Sequence, residues 1–221
     1  MNSGMRGVSN AKAVLPDWVL RHPDNPPTNP SVWDDEFNGN ALHPKWTTVG
    51  AGTPIHTVSN GSYRITEGAL NGVVKGIEQP ISGNRWKIRT LAHFNSCGVN
   101  FDSVGFIVRC STTTRVDHYS MMHHSSWGYF APIHFHGPSY ISWTVEVGLN
   151  QWYMKNKFYL ELEYDGTNFI FKHSADGFNF YSISSTAQAT YLAGVPTHFG
   201  VGSWHNGPSL DVSYSWFRRV S

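Results

Sequence analysis

The stretch KFYLELEYDGTNFIFKHSADGFNFYSISS, residues 157–185, alternates apolar and polar side chains and contains two Asp-Gly pairs. Alternation with a period of two is typical of a strand with one buried face. Asp-Gly is a preferred hairpin turn because both of its residues accept positive φ. The stretch therefore predicts three consecutive antiparallel strands, with turns at Asp165-Gly166 and Asp176-Gly177.

The same alternation recurs on either side of this meander, in Arg85–Phe94, Val104–Cys110, Tyr140–Leu149 and Leu210–Val220. The composition agrees, because charged residues are only 14%, aromatic residues are also 14%, and there are 21 Gly and 12 Pro. Such a mixture suits short strands joined by tight turns. The sequence predicts one all-β domain over residues 31–221.

A second motif, Asp34-Asp-Glu-Phe-Asn-Gly-Asn-Ala-Leu-His-Pro-Lys-Trp46, stands where a proline-rich leader gives way to these segments. It resembles the entry of concanavalin-A-like jelly rolls, including laminarinase- and lichenase-like glucanases. Tyr164-Asp-Gly-Thr, Ser174-Ala-Asp-Gly-Phe and Trp216-Phe-Arg-Arg-Val are similar to the concanavalin-A-like domains appended to β-xylosidases. The resemblance implies a jelly-roll sandwich of two antiparallel sheets, in which Val32–Phe37 lies beside the last strand.

The glucanases of that superfamily carry a strand with Glu-x-Asp-x-Glu, whose outer carboxylates act as nucleophile and general acid roughly 5 Å apart. Glu161, Glu163 and Asp165 have two-residue spacing here, but the order differs and Asp165 begins a turn. Glu161 and Glu163 are instead expected on the wetter face of a strand. Glu146 and Asp117 each stand alone. We therefore predict no catalytic residues and a protein that is not an enzyme.

Aromatic residues are dense in the segment Met121–Tyr140, and Trp204–Pro208 is a second such loop. The faces of such rings can stack on sugar rings or anchor a protein partner, and the alternative is that they fill the core. The candidate glycan-binding residues are Trp127, Tyr129, Tyr140, Trp143 and Trp204.

Residues 1–30 form a separate kind of sequence, predicted to be an extended arm because Pro23, Pro26, Pro27 and Pro30 keep it out of sheets and helices. Its apolar residues Leu15, Trp18 and Leu20 are predicted to dock on a neighbouring subunit, which implies a homo-oligomer. The alternative is an unattached leader.

Several classes of function are disfavoured. A net charge of +1 argues against nucleic acid as a partner. No apolar run approaches the roughly 20 residues that a membrane-spanning helix needs, and the polar start, residues 1–13, predicts no secretory signal. His134 and His136 share a strand face, but no nearby ligand completes a metal site, so no metal or cofactor is predicted. Cys97 and Cys110 are too few for a disulfide framework, and the alternative to a buried, unpaired Cys110 is a single Cys97–Cys110 bridge across a hairpin.

These features lead to one functional prediction and two alternatives. The prediction is a non-catalytic structural protein of a virus particle, either a phage capsid decoration or a tail-associated protein, made in the host cytoplasm. Its expected partners are further copies of itself, other virion proteins and a cell-surface glycan. The alternatives are a carbohydrate-binding module and a glycoside hydrolase.

Overall fold

A computed structural model of the chain describes residues 23–50, 55–68, 72–96, 100–110, 115–124, 127–136, 139–143, 147–150, 157–192, 194–205 and 209–220. At residues 100, 124, 127, 136, 139–141, 143 and 147–150 it describes the backbone alone. The strands in these ranges are β1 (Thr47–Val49), β2 (Ile55–Ser59), β3 (Ser62–Glu67), β4 (Lys75–Pro80), β5 (Trp86–Ser96), β6 (Asn100–Arg109), β7 (Arg115–His124), β8 (Trp127–His136), β9 (Ser139–Trp143), β10 (Val147–Asn150), β11 (Phe158–Tyr164), β12 (Asn168–Ser174), β13 (Tyr181–Ala187), β14 (His198–Trp204) and β15 (Leu210–Arg219). A short 3₁₀ helix, Gln188–Thr190, follows β13.

These strands form two antiparallel sheets packed face to face. The seven-stranded sheet has the order β13-β12-β11-β5-β15-β3-β2, and the eight-stranded sheet has the order β1-β4-β14-β6-β7-β8-β10, with β9 also paired to β8. Large apolar side chains from both sheets, among them Trp86, Phe106 and Phe171, are buried between them. The predicted all-β sandwich of two antiparallel sheets is confirmed.

The meander that opened the sequence argument forms β11, β12 and β13, paired in that order. Its turns are longer than two residues. Asp165 accepts hydrogen bonds from the amides of Thr167 and Asn168 at 2.8 and 2.7 Å, so the first turn is closed by a side chain. In β5, the alternation over Arg85–Phe94 predicts one buried face, and Trp86, Ile88, Ala92 and Phe94 are all buried in the core.

The entry motif pairs with the last strand through one bridge instead of a full strand. Asp35 and Phe217 exchange two backbone hydrogen bonds of 2.8 Å. The Asp35 carboxylate accepts from the Trp46 indole at 2.7 Å and from the Phe37 amide at 2.8 Å. Because these bonds turn the chain at once, the predicted strand Val32–Phe37 is shortened to this bridge, while Trp46 is buried in the core.

Part of the predicted N-terminal arm contacts the sandwich itself. Arg218 of β15 donates to the Pro23 carbonyl, and the Tyr159 hydroxyl of β11 donates to Asp24 at 3.0 Å. Gly177 has a φ of +76°, and a Cβ there would lie 2.5 Å from the Pro23 ring, so a residue without a side chain is needed at this contact. The predicted docking residues Leu15, Trp18 and Leu20 lie outside the described residues.

Two further observations concern the cysteines and the search for a membrane-spanning helix. Cys110 is fully buried in the core, as the alternation of its strand predicts, whereas Cys97 lies outside the described residues. Within the part of the chain that the structure describes, no helix has the length and apolar character needed to cross a bilayer.

Candidate functional site

The candidate site is the outer face of the eight-stranded sheet, meaning the side turned away from the core. Trp204, Ser103, Met122 and Tyr129 are successive register partners across β14, β6, β7 and β8. Trp204 and Met122 belong to an apolar cluster on this face, and Tyr129 packs against that cluster. Two of the predicted glycan-binding residues, Tyr129 and Trp204, therefore lie at the ends of one row across four strands.

The next row of this face consists of residues with little or no side chain. Its members in register order are Gly76, Gly202, Gly105, Ser120 and Ala131. The absence of side chains brings neighbouring strands close together, because a Cβ on Gly76 would lie 2.2 Å from the Val201 carbonyl oxygen. The row also leaves room for larger side chains on either side to reach across it.

One such side chain is His118, which lies opposite Ile107 in register but reaches past Gly105 to Ser103. Its Nε2 is 2.9 Å from the Ser103 hydroxyl, and its Nδ1 is 3.0 Å from the Phe106 carbonyl oxygen. Since a carbonyl can only accept, Nδ1 carries the proton and Nε2 accepts from Ser103. Burial lowers the pKa of His118 to about 4, so the imidazole is neutral near pH 7.

A serine hydroxyl that donates to a neutral histidine has the local arrangement of a nucleophile and its base. Here both side chains are completely buried, and the second ring nitrogen is oriented by a backbone carbonyl. The Ser103 hydroxyl also accepts from the Trp204 amide at 3.2 Å. The pair thus satisfies polar groups inside the fold and ties β6, β7 and β14 together.

Asp102 and His205, which directly adjoin Ser103 and Trp204 in the sequence, form a second buried polar pair. Asp102 Oδ1 is 2.9 Å from His205 Nδ1, and both side chains are fully buried. Sequence reasoning missed both pairs. The usable signal for the first was that His118 alternates with Val116 and Met122 in β7, which places a histidine on an otherwise apolar face. For the second, the side chains come from positions 103 residues apart, and no local pattern connects them.

Glu78 on β4 is the one carboxylate that the structure describes on this outer face. The Arg109 Nε lies 2.9 Å from both of its oxygens, and this hydrogen bonding raises the pKa of Arg109. A retaining glycosidase needs two carboxyl groups about 5–5.5 Å apart, one of which donates a proton. Among the described side chains of this face, no second carboxylate lies beside Glu78. The Glu78 carboxylate itself is already paired with Arg109.

The accessibility of the predicted glycan-binding residues differs along the row. Trp204 is only 5% exposed, and its ring packs against Phe135 with centroids 6.3 Å apart. Tyr129 is partly buried at the other end. Trp127 begins β8, and Tyr140 and Trp143 lie in β9, which pairs with β8, but the side chains of these three are outside the described part of the chain.

Of the two histidines weighed as a metal site, His134 is the one whose side chain the structure describes. His134 Nδ1 is 2.7 Å from Asp117, and its ring lies 4.4 Å from the Tyr191 ring. The side chain of His136 is not described. Within the described ranges, no group of three or more metal-ligating side chains comes together.

The acidic residues weighed as catalytic, Glu161 and Glu163, lie in β11 on the outer face of the seven-stranded sheet. The Glu161 side chain is 2% exposed and accepts from Arg89 at 2.6 Å and Lys172 at 2.9 Å. The expectation that Glu161 lies on a wetter face is therefore wrong, because flanking cations cover it. Glu163, which is 27% exposed and also contacts Lys172, fits that expectation.

Comparison with known proteins finds similarity in structure but not in sequence. No protein-family model matches the sequence, and no curated protein sequence matches it either. Among solved structures, it is similar to a family 43 glycoside hydrolase (GH43) from Bacillus licheniformis, with a TM-score of 0.67 and 14% identity over 88% of this chain. It is also similar to the xylan β-1,4-xylosidase of Bacillus halodurans, with a TM-score of 0.64 and 11% identity over 88% of this chain.

The chain spans only 41% and 40% of the length of those two proteins. A third structure, described with the endo-acting O-glycanases that human gut bacteria express to initiate mucin breakdown, is matched over 98% of its length and 86% of this chain. Its TM-score is 0.59 and its identity 10%. At these identities the similarity shows a shared fold.

Proposed function

We propose that this chain is a carbohydrate-binding module with a concanavalin-A-like fold and without hydrolytic activity. The structural neighbours support the substrate class, since they include a xylosidase and a structure described with mucin O-glycanases. The observation that carries the proposal is the outer face of the eight-stranded sheet. It carries two aromatic rings, Tyr129 and Trp204, at the ends of one row across four strands, and its described carboxylate, Glu78, is paired with Arg109.

Tyr129 is the described residue best placed to meet a sugar. It lies at the partly exposed end of the row, while Trp204 at the other end is buried and supports the row from within. Pyranose rings present apolar C–H faces that stack on aromatic rings. We therefore propose that a glycan binds along β8, with Tyr129 as one stacking platform.

A glycan array followed by calorimetry on xylan, β-glucan and mucin O-glycan fragments tests the binding. Tyr129→Ala should weaken binding about tenfold, which corresponds to about 1.4 kcal/mol. The matched control is Tyr181→Ala, because Tyr181 is 71% exposed on the other sheet and should leave affinity unchanged. Equal loss in both variants, or no binding to any glycan, contradicts the proposal.

The absence of hydrolysis is tested separately by measuring the reducing ends released from the same polysaccharides. We expect no release above that of buffer. Release that disappears in Glu78→Gln would show a catalytic carboxylate at this face and favour the glycoside hydrolase alternative.

The role in a virus particle stays a prediction. Its testable part is the arm. Pro23 and Asp24 bind the chain's own sandwich, so an arm that reaches other subunits would have to lie within residues 1–22. Mass spectrometry of purified phage particles, with the chain found at a symmetric copy number, would support that role.

A further inference from the structure

One end of the outer face of the seven-stranded sheet carries a cavity with polar walls. Alternation in β3 turns Tyr63 into the core and Arg64 outward, and Ser213 of β15 is the register partner of Arg64. A cavity of about 370 Å³ lies over these strands. The described residues that line it are all polar, namely Ser59, Ser62, Arg64, Asn95 and Ser213. Small-molecule pockets usually have mainly apolar walls, so this cavity suits a ligand that is held by hydrogen bonds.

The Arg64 guanidinium is held in place at the cavity by Asp211. Its Nε donates to Asp211 Oδ1 at 2.7 Å, and its Nη2 donates to the other oxygen of the same carboxylate. A guanidinium carries more N–H groups than this contact uses, so further donors remain for a ligand. The Arg64 side chain is 51% exposed, and those donors are therefore accessible.

Asn95 is fixed beside Arg64 through the same carboxylate. Its Nδ2 donates to Asp211 Oδ1 at 2.9 Å, and its Oδ1 accepts from the Ser213 hydroxyl at 3.3 Å. His93 Nδ1 lies 2.7 Å from the same Oδ1. Because these bonds orient the guanidinium and the amide before a ligand arrives, binding costs less side-chain entropy.

Two serine hydroxyls add groups that can both donate and accept. Ser59 and Ser62 are register partners at the turn between β2 and β3. Both line the cavity, and within the described ranges neither hydroxyl has a hydrogen-bond partner. A ligand with hydroxyl groups of its own can pair with them in either direction.

The cavity carries little net charge. Arg64 is the one charged side chain among its described walls, and Asp211 compensates it. An anion would be attracted by Arg64 but repelled by the Asp211 carboxylate beside it. A neutral molecule with several hydroxyl groups meets no such repulsion and uses the donors and acceptors of the walls together. The chemistry of the cavity therefore fits a neutral saccharide.

We propose that this cavity is a second saccharide site, in which Arg64 and Asn95 donate to hydroxyl oxygens of a neutral sugar and the serine hydroxyls complete its contacts. Arg64 and Asn95 suit neighbouring hydroxyl groups, because both end in planar N–H donors anchored on Asp211. No described aromatic ring lines the cavity, so we expect a weak site with millimolar affinity. The site lies on the sheet opposite Tyr129, and it can bind whether or not the glycan site proposed there does.

Titration of the isotope-labelled full chain, followed by NMR, tests the proposal. The probes are xylotetraose, cellotetraose and sodium sulfate at constant ionic strength, each up to about 20 mM so that millimolar affinity is detected. We expect the Asn95 side-chain amide and the Arg64 Nε–H resonances to shift and saturate with a neutral oligosaccharide, but not with sulfate. Arg64→Gln should weaken that binding, read at Asn95, about tenfold, and Ser62→Ala about threefold.

Two variants serve as controls. Ser185→Ala changes an exposed serine on β13, at the other edge of the same sheet, and should leave this affinity unchanged. Tyr129→Ala should also leave it unchanged, which separates this site from the one proposed along β8.

Three outcomes overturn the proposal. The first is the absence of a saturable shift at Arg64 and Asn95 with either oligosaccharide; if shifts then occur only near Tyr129, the proposed function stands without this second site. The second is a shift that survives both Arg64→Gln and Ser62→Ala. The third is a shift with sulfate alone, which would make the ligand an anion.

Discussion

The two outer faces of this sandwich are both buried to an unusual extent, but in chemically different ways. On the eight-stranded sheet, the face is apolar with neutral polar groups set into it, such as Ser103 and His118. On the seven-stranded sheet, charged residues dominate the centre, where Glu161 joins Arg89 and Lys172. The first face combines these neutral groups with one described ion pair, Arg109 with Glu78, whereas the second face has paired charges at its centre.

This difference bears on function. Under the proposed glycan binding, a neutral sugar would meet the neutral buried polar groups and the row of small residues without desolvating a strong charge at that row. The face with paired charges instead holds the segment of its own chain that contains Pro23 and Asp24. Variants on each face can therefore test the two sheets separately.

The largest effect is expected from a side chain added to the small-residue region of the eight-stranded sheet. In Gly200→Ala, the new Cβ would lie 1.8 Å from the Ile77 carbonyl oxygen, so β4 and β14 must move apart. We expect a loss of about 3 kcal/mol or more in unfolding free energy. Urea unfolding measures it, and Gly68→Ala is the control because a Cβ there meets nothing within 4 Å. A neutral Gly200→Ala would show that the sheet is not closely packed here.

A slightly smaller effect is expected in the pH dependence of the unfolding free energy, to which His118 on the same face contributes. Burial lowers the pKa of His118 to about 4, so the unfolded chain binds a proton near pH 6.5 while the folded chain does not. Stability should therefore fall as the pH drops from about 6.5 to 4, by up to about 3 kcal/mol. Unfolding free energies measured across this range should show a shallower slope in His118→Asn. Other histidines with lowered pKa, His56, His173 and His198, keep part of the slope in both proteins.

The sequence predicted the sandwich well because its signal is local. Alternation and Asp-Gly pairs within 157–185 act over a few residues, and β11, β12 and β13 formed there as expected. The entry motif was less well predicted. Alternation suggested a strand, but the Asp34 and Asp35 side chains bind the backbone amides of Arg219 and Phe37, which ends the pairing after one bridge.

The candidate site was predicted only in part, since its chemistry comes from contacts that are distant in sequence. The aromatic density of the sequence pointed to Tyr129 and Trp204. That they lie in one row is shown by the strand pairing in the structure. Whether a ring is covered depends on tertiary packing, so the burial of Trp204 had no sequence signal. Glu161 shows the reverse case, because its pattern predicted exposure but Arg89 covers it.

An intermediate loss of stability is expected when one of the two carboxylates of β11, Glu161 or Glu163, is removed. Glu161→Gln removes a buried carboxylate, so Arg89 loses this ion pair and Lys172 keeps only its pair with Glu163. Because both cations are partly exposed, we expect about 2 kcal/mol of destabilisation, less than for a fully buried pair. Glu163→Gln is the matched control on the same strand face, and it should cost under about 1 kcal/mol since that side chain is screened by water. If urea unfolding shows a similar loss of unfolding free energy in both variants, burial does not make Glu161 contribute more to stability than Glu163.

The smallest effect tests whether the arm belongs to this charged face. Tyr159→Phe removes the hydroxyl that donates to Asp24 at 3.0 Å but keeps the aromatic ring, which lies beside Gly177 as Pro23 does. Burial, followed by the Asp24 carboxylate, raises the pKa of Tyr159 to about 12, so the hydroxyl is protonated and available to donate near pH 7. Its loss should cost about 1 kcal/mol, while Tyr181→Phe, at an exposed position, should cost nothing measurable. If both variants are neutral, the hydrogen bond from Tyr159 to Asp24 does not stabilise the fold.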